Sequence, residues 1–142
     1  MSKQVGAAAL SVLGTPLRAC CFAPLTGYHR DGFCSLASGD RGSHTVCAVV
    51  SAEFLHFTAS RGNDLSTPHP PSFPGLKAGD KWCLCAGRWL EAFEAAESGA
   101  APAAALPRVV LSATNVAALK MVPEAALRAH AAQEEAAEVA AT

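Results

Sequence analysis

Hydrophobic and polar positions fall into three short apolar runs and three stretches of helical spacing, set between turn residues. The run at 44–50 is β-branched and apolar and predicts a strand that ends at Ser51. Ser51 can cap a following helix that carries Glu53 in its first turn. Across 52–61, Phe54, Leu55, Phe57 and Thr58 cover one face while Glu53, His56 and Ser60 cover the other, as an amphipathic helix requires. Gly62 and Asn63 stop it. The segment 64–80 holds Pro68, Pro70, Pro71 and Pro74 with Gly75 and Gly79, so it lacks donors for a regular ladder and predicts a long surface loop. A second strand follows at 81–86, then a helix at 88–98 with Trp89, Leu90 and Phe93 toward the core and Arg88, Glu91 and Glu94 toward water. After an Ala- and Pro-rich loop at 99–107, a third strand at 108–112 carries Val109, Val110 and Leu111. Asn115 can cap a short helical turn, and Pro123 suits the first position of a last helix carrying Leu127.

The first third differs. Residues 14–43 are rich in Gly, Pro and Cys and have few periodic apolar positions, which predicts loops. Asp31-Gly32, between Tyr28–His29–Arg30 and Phe33–Cys34, predicts a two-residue hairpin turn. The alternation of strands and helices allows α/β or α+β. The proline-rich loop and the irregular first third favour a single α+β domain with a small mixed sheet from 44–50, 81–86 and 108–112. Helices pack against the sheet, and a loop-rich N-terminal lobe folds over it, bringing Cys20, Cys21 and Cys34 close. Residues 1–11 read as an extension, 12–130 as the domain, and 131–142 as an Ala/Glu-rich tail. Val139 is the tail's only large apolar side chain, so the tail is expected to fray unless a partner holds it.

Composition narrows the function classes. Hydrophobic residues make up 51% and charged residues 16% of the 142, which excludes a disordered chain, although much of the apolar count is Ala. Eleven Lys and Arg against 12 Asp and Glu, scattered along the chain, leave no basic footprint for nucleic acid or anionic lipid. No apolar run reaches the roughly 20 residues of a membrane helix. A cytoplasmic location is the expectation. On that basis the six cysteines read as reduced thiols, core residues or ligands sooner than as a disulfide framework.

Three constellations could carry chemistry. Cys83 and Cys85 point to the same face of a strand. Cys47 could join them from a neighbouring strand, and Cys34, Cys20 or Cys21 could complete a zinc shell. The bland alternative is that these cysteines pack in the core, and no cofactor other than zinc is suggested. Cys34 could also act as a nucleophile with His44 or His29 as base and Asp31 or Asp64 as orienting group. A His44/Cys47 pair is disfavoured because three residues separate opposite strand faces. Lastly, Arg30, Arg61, Asn63 and Asp64 could line a pocket for a small anionic ligand. The competing reading gives Arg61 to a helix end, Asn63 to its cap and 64–68 to a turn. Trp82 and Trp89 read as core anchors.

The strings VLGTPL, PLTGYHRDGFC, GSHTVCAVV, EFLHFTASRGNDLSTP, FPGLKAGDKWCLCAGRW, LSAT and MVPEAALRAH, spread over 12–130, make the chain similar to the family of uncharacterised proteins called DUF2237. The resemblance adds weight to Cys34, His44, Cys47, Arg61, Asn63, Asp64, Trp82, Cys83 and Cys85 without giving any of them a role. It also implies a second cysteine at position 33, where this chain has Phe33, so a metal shell or redox pair depending on that thiol would be missing. The leading expectation is a noncatalytic domain that binds a protein partner or serves as an accessory subunit. The rivals are an enzyme with a Cys/His or polar-pocket site in the DGFC, GSH and RGND loops, and a zinc-binding domain.

Overall fold

The computed structural model describes residues 9–71 and 73–132. In chain order the elements are β1 (His44–Val49), α1 (Ala52–Ser60), β2 (Lys81–Cys85), α2 (Ala86–Ser98), β3 (Arg108–Val109) and α3 (Glu124–Ala129). Single 3-10 turns lie at Ala103–Ala105, Leu111–Ala113 and Val116–Lys120. The strands form one sheet in the order β2-β1-β3, with β1 central and antiparallel to both neighbours. A parallel bridge from Val109 to Ala131 extends pairing beyond β3. This is an α+β domain.

Local chemistry sets the boundaries. Ser51 accepts the Phe54 backbone N–H at 2.9 Å, so the chain leaves β1 and enters α1 across one capped residue. At the other end Asn63 donates its backbone N–H to the Thr58 carbonyl and its side-chain amide to the Thr58 hydroxyl, closing α1. α2 begins directly where β2 ends, with Cys85 as its N-cap residue, and stops at Gly99 in the left-handed conformation. Asn115 caps the turn at Val116–Lys120 through the Ala117 N–H. β3 is shorter than the apolar run predicts because the chain bends into the Leu111–Ala113 turn after Val110 bonds the Cys47 carbonyl.

The sheet's alternation divides the interior in two. Val46 faces Leu84 and Ala48 faces Trp82 across the β1–β2 ladder, and these four join Phe54, Trp89, Leu111 and Leu127 in the main apolar core. Trp89 is fully buried and satisfies its indole N–H on the Pro107 carbonyl at 3.1 Å. Cys47 and Cys83, opposite each other in the same ladder, belong to a second, smaller cluster with Cys20, Cys34 and Ala113 under the N-terminal lobe.

That lobe corrects two expectations. No two-residue hairpin forms at Asp31-Gly32. The turn lies at Gly27 to Arg30, closed by Arg30 N–H to the Gly27 carbonyl at 2.9 Å, and Asp31 instead accepts the Phe33 N–H. Gly27 has φ of +102°, and a Cβ there would sit 2.5 Å from the Phe33 carbonyl oxygen, so the turn demands glycine. Gly32 is drawn inward, accepting from the N–H groups of Cys20 and Cys21 and donating to the Thr26 carbonyl. The cysteines are also not all reduced: Cys20–Cys47 and Cys34–Cys83 form disulfides, leaving Cys21 and Cys85 free. The pairs are 27 and 49 residues apart in sequence, a separation no local pattern reveals. A lobe made of turns buries little apolar area, and the covalent links fasten it to the sheet.

The chain is engaged beyond both expected domain limits. Leu10 and Ser11 pair with Pro16 and Asn115. Ala131 and Ala132 are buried, and Ala132 donates to the Val109 carbonyl at 2.7 Å. The tail proposed as a docking element lies, from residue 133 on, outside the described residues. Among the described residues no helix is long and apolar enough to cross a membrane.

Candidate functional site

β2 is an edge strand, and its outer side is where the loops converge. Thr26 accepts the Cys83 backbone N–H at 2.8 Å, blunting the free edge with a side chain from the N-terminal lobe. Beyond it opens a cleft of about 610 Å3 lined by Tyr28 and Arg30 from the turn, His44 from the start of β1, Asp64 and His69 from the proline-rich loop, and Trp82 and Cys83 from β2. The loop is shaped by its own bonds. His69 and Phe73 exchange backbone hydrogen bonds at 2.8 and 3.1 Å, their rings stack, and Phe73 meets Trp82 edge-on at 5.2 Å.

Arg30 forms one wall. Its guanidinium carbon lies 5.0 Å over the Trp82 ring, one amino group donates to the Gly27 carbonyl at 2.7 Å, and its Nε is buried without a partner among the described residues. Asp64 is held by its own turn, accepting from the Thr67 hydroxyl at 2.6 Å and the Ser66 N–H at 2.9 Å. The Thr67 hydroxyl above all, with those backbone donors, keeps this exposed carboxyl below the ordinary carboxylate range.

The most organised polar pair is Asp40 and His44. Asp40 accepts the His44 backbone N–H at 2.9 Å on one carboxylate oxygen and the ring Nδ1 at 2.7 Å on the other. Its side chain is only 1% exposed, against 37% for His44. Burial pushes the Asp40 carboxyl up, but the His44 backbone bond, the ring contact and charge of His44, and the Gly42 backbone outweigh it and hold the group below its ordinary value. An ionised Asp40 places the imidazole proton on Nδ1, leaving Nε2 as the free acceptor. The ladder is irregular between His44 and Val46, and such bulges re-aim the side chain that precedes them.

Cys85 sits opposite His44 in the ladder. Its thiol donates to the Gly42 carbonyl at 2.9 Å. A Cβ on Gly42 would lie 2.7 Å from the Cys85 sulfur and 2.9 Å from His44 Cε1, so glycine is what fits between thiol and imidazole. Burial pushes the Cys85 thiol up, opposed by the charge and backbone N–H of Arg88.

The structure sorts the sequence candidates. Arg30, His44 and Asp64 meet at the cleft. Arg61 does not: its guanidinium lies over Phe57 and 3.6 Å from Glu91. Asn63 caps α1, Asp31 closes its own turn, and His29 is exposed with its ring edge-on to Tyr28 at 5.3 Å. Cys34 is fully buried and bonded to Cys83, so the expected Cys34/His pairing has no thiol to activate. Among the metal candidates, Cys34, Cys47 and Cys83 cluster, whereas the Cys85 sulfur turns to Gly42; the sulfurs of Cys20, Cys34 and Cys47 lie within 4.8 Å of one another. Sequence reasoning missed Asp40, whose only signal is an acid four residues before a histidine across a Gly-Ser turn. It also missed His69 and Phe73, whose loop carries no periodicity.

The family described as uncharacterised proteins conserved in bacteria, DUF2237, matches residues 10–131. The chain belongs to the DUF2237 family. The match begins at Leu10 and ends at Ala131, residues that form isolated backbone bridges to Pro16 and Val109. It therefore spans the disulfide-linked lobe, the cleft and the helical core of this DUF2237 domain. No curated protein matches the chain.

Proposed function

We propose that this DUF2237 domain binds a small carboxylate- or phosphate-bearing molecule in the cleft and that His44 exchanges a proton with it. The observation that carries this reading is the Asp40–His44 pair, a buried carboxylate orienting a half-exposed imidazole whose second nitrogen has no hydrogen bond among the described residues and stands beside a cleft. Arg30 supplies the charge complement. Among the described residues it pairs with no carboxylate, and its Nε is unpartnered. Trp82, Phe73 and Tyr28 give the cleft an aromatic side suited to the apolar part of such a ligand.

The test is an NMR titration of the His44 ring signals with a panel of small carboxylates and phosphate esters. A saturable shift is expected for at least one compound, weakened about tenfold or more in Arg30→Met. If no compound moves the His44 signals, or Arg30→Met binds as well as the native chain, the reading fails.

A second reading, a partner-binding domain, is favoured by one surface. Leu10, Leu36 and Val116 are 47%, 54% and 42% exposed around a shallow groove that also includes Ala9, Ala117 and Lys120. Leu36→Asp should abolish any self-association or complex seen by size exclusion if this face is used. An unchanged elution profile would remove it from consideration.

A further inference from the structure

We propose that the four cysteines joining the N-terminal lobe to the sheet are a redox-gated metal site. Oxidised they are two disulfides, and reduced they hold one zinc ion through Cys20, Cys34, Cys47 and Cys83.

The sulfurs are already gathered. Those of Cys20, Cys34 and Cys47 lie within 4.8 Å of one another, and that of Cys83 is bonded to Cys34. Zinc–thiolate bonds of about 2.3 Å place tetrahedral ligands about 3.8 Å apart, so Cys20, Cys34 and Cys47 need only small movements while each bonded pair opens, and the Cys83 sulfur, outside that group of three, swings in from its place beside Cys34. Hydrogen bonds also hold the backbone at three of the four positions. Cys47 and Cys83 are register partners in the sheet. Their N–H groups are held by the Thr114 and Thr26 hydroxyls at 3.1 and 2.8 Å, and Cys20 is held by the Gly32 carbonyl at 2.7 Å. The apolar neighbours of the sulfurs are Ala113 and the partly buried Val110, and one metal ion would bring four buried thiolates together. Position 33 is not needed, because Phe33 packs edge-on against Phe22, outside the cluster.

The conversion balances. Two molecules of a dithiol reductant deliver four electrons and four protons to the two disulfides and are themselves oxidised to two disulfides. The four protein thiols then bind one Zn2+ as thiolates and release four protons. Each form ties the same lobe to the same strands, so the fold persists in reducing and oxidising surroundings alike.

Native mass spectrometry of the full chain with zinc sulfate, before and after reduction by a phosphine, tests this alongside cysteine alkylation and peptide mapping. The oxidised chain should bind no zinc and label only at Cys21 and Cys85. The reduced chain should take up one zinc. Its Cys20, Cys34, Cys47 and Cys83 should then label about tenfold or more slowly than Cys21 and Cys85 until a chelator is added. Cys85→Ser should keep the stoichiometry. Failure of the reduced chain to hold zinc, protection that falls on Cys85, or loss of zinc in Cys85→Ser would each overturn the proposal. Cobalt(II) gives an independent readout, since an intense sulfur-to-metal absorption is expected for a four-thiolate site and its absence would count against one.

Discussion

The two faces of the sheet are held by different physics. On one, Trp89, Phe54, Leu84 and Leu127 are almost wholly buried in a continuous apolar core under the helices, and burial area does the work. On the other, the N-terminal lobe has few large buried side chains, leaves Phe22, Leu25 and Leu36 exposed, and is tied down by two disulfides and by the Thr26 hydroxyl on the Cys83 N–H. The cleft lies at the border between them, with a helix-side wall of Phe73 and Trp82 and a lobe-side wall of Tyr28 and Arg30. A site built there can be rigid on one side and adjustable on the other.

The largest effect should come from the apolar face. Trp89→Ala removes a fully buried ring and should cost about 3–5 kcal/mol in a urea melt, enough to unfold much of the population. Next is the stapled face. Replacing Cys34 and Cys83 together by Ala frees a 49-residue separation and should cost about 2–4 kcal/mol, with amide exchange accelerating over the N-terminal lobe before the helices. Uniform acceleration across both faces would show that they are one cooperative unit and break the contrast. Gly42→Ala presses a methyl between Cys85 and His44 and should cost about 1–2 kcal/mol while displacing the His44 ring signals.

Asp40→Asn should cost about 1 kcal/mol at neutral pH. Asp40's carboxyl is held below its ordinary value of 3.8, so its contribution is present above that value and is lost as pH falls through the lowered folded value; the native and Asp40→Asn stabilities should converge there. The smallest effect is at the helical face. His130, in contact with Trp89 and Phe93, has its pKa pushed below 6.5 by burial and then by the Arg108 charge, with Glu97 opposing. The unfolded chain therefore binds the proton more readily, stability falls as pH drops through this range, and His130→Gln should flatten that slope.

Legibility followed the same division. Ser51 as a cap, Asn115 as a cap, the strand at 44–50 and the helix around Trp89 were readable because capping and amphipathic spacing are local. The Asp31-Gly32 turn misled because Asp31 and Gly32 are each satisfied by other bonds, and the hairpin they would suit has no pairing strands. Of the residues the sequence singled out, Arg30, His44 and Asp64 line the cleft. Arg61 and Asn63, from the same segment as Asp64, went to the helix end instead. Asp40 carried only the weak signal of an acid four residues before a histidine, since its value lies in a buried bidentate contact that exists only once the turn at 40–43 is folded.

The sequence by itself determined the α+β class, the helix-side core and the family, because hydrophobic period, capping residues and long motif strings are properties of neighbouring residues. Only the tertiary structure decided which cysteines pair, that Asp40 orients His44, and that Cys85 stands apart from the other sulfurs beside it. Those facts depend on sheet register and on where a loop without periodicity comes to rest, and a one-residue change in register would reverse which face every strand cysteine occupies.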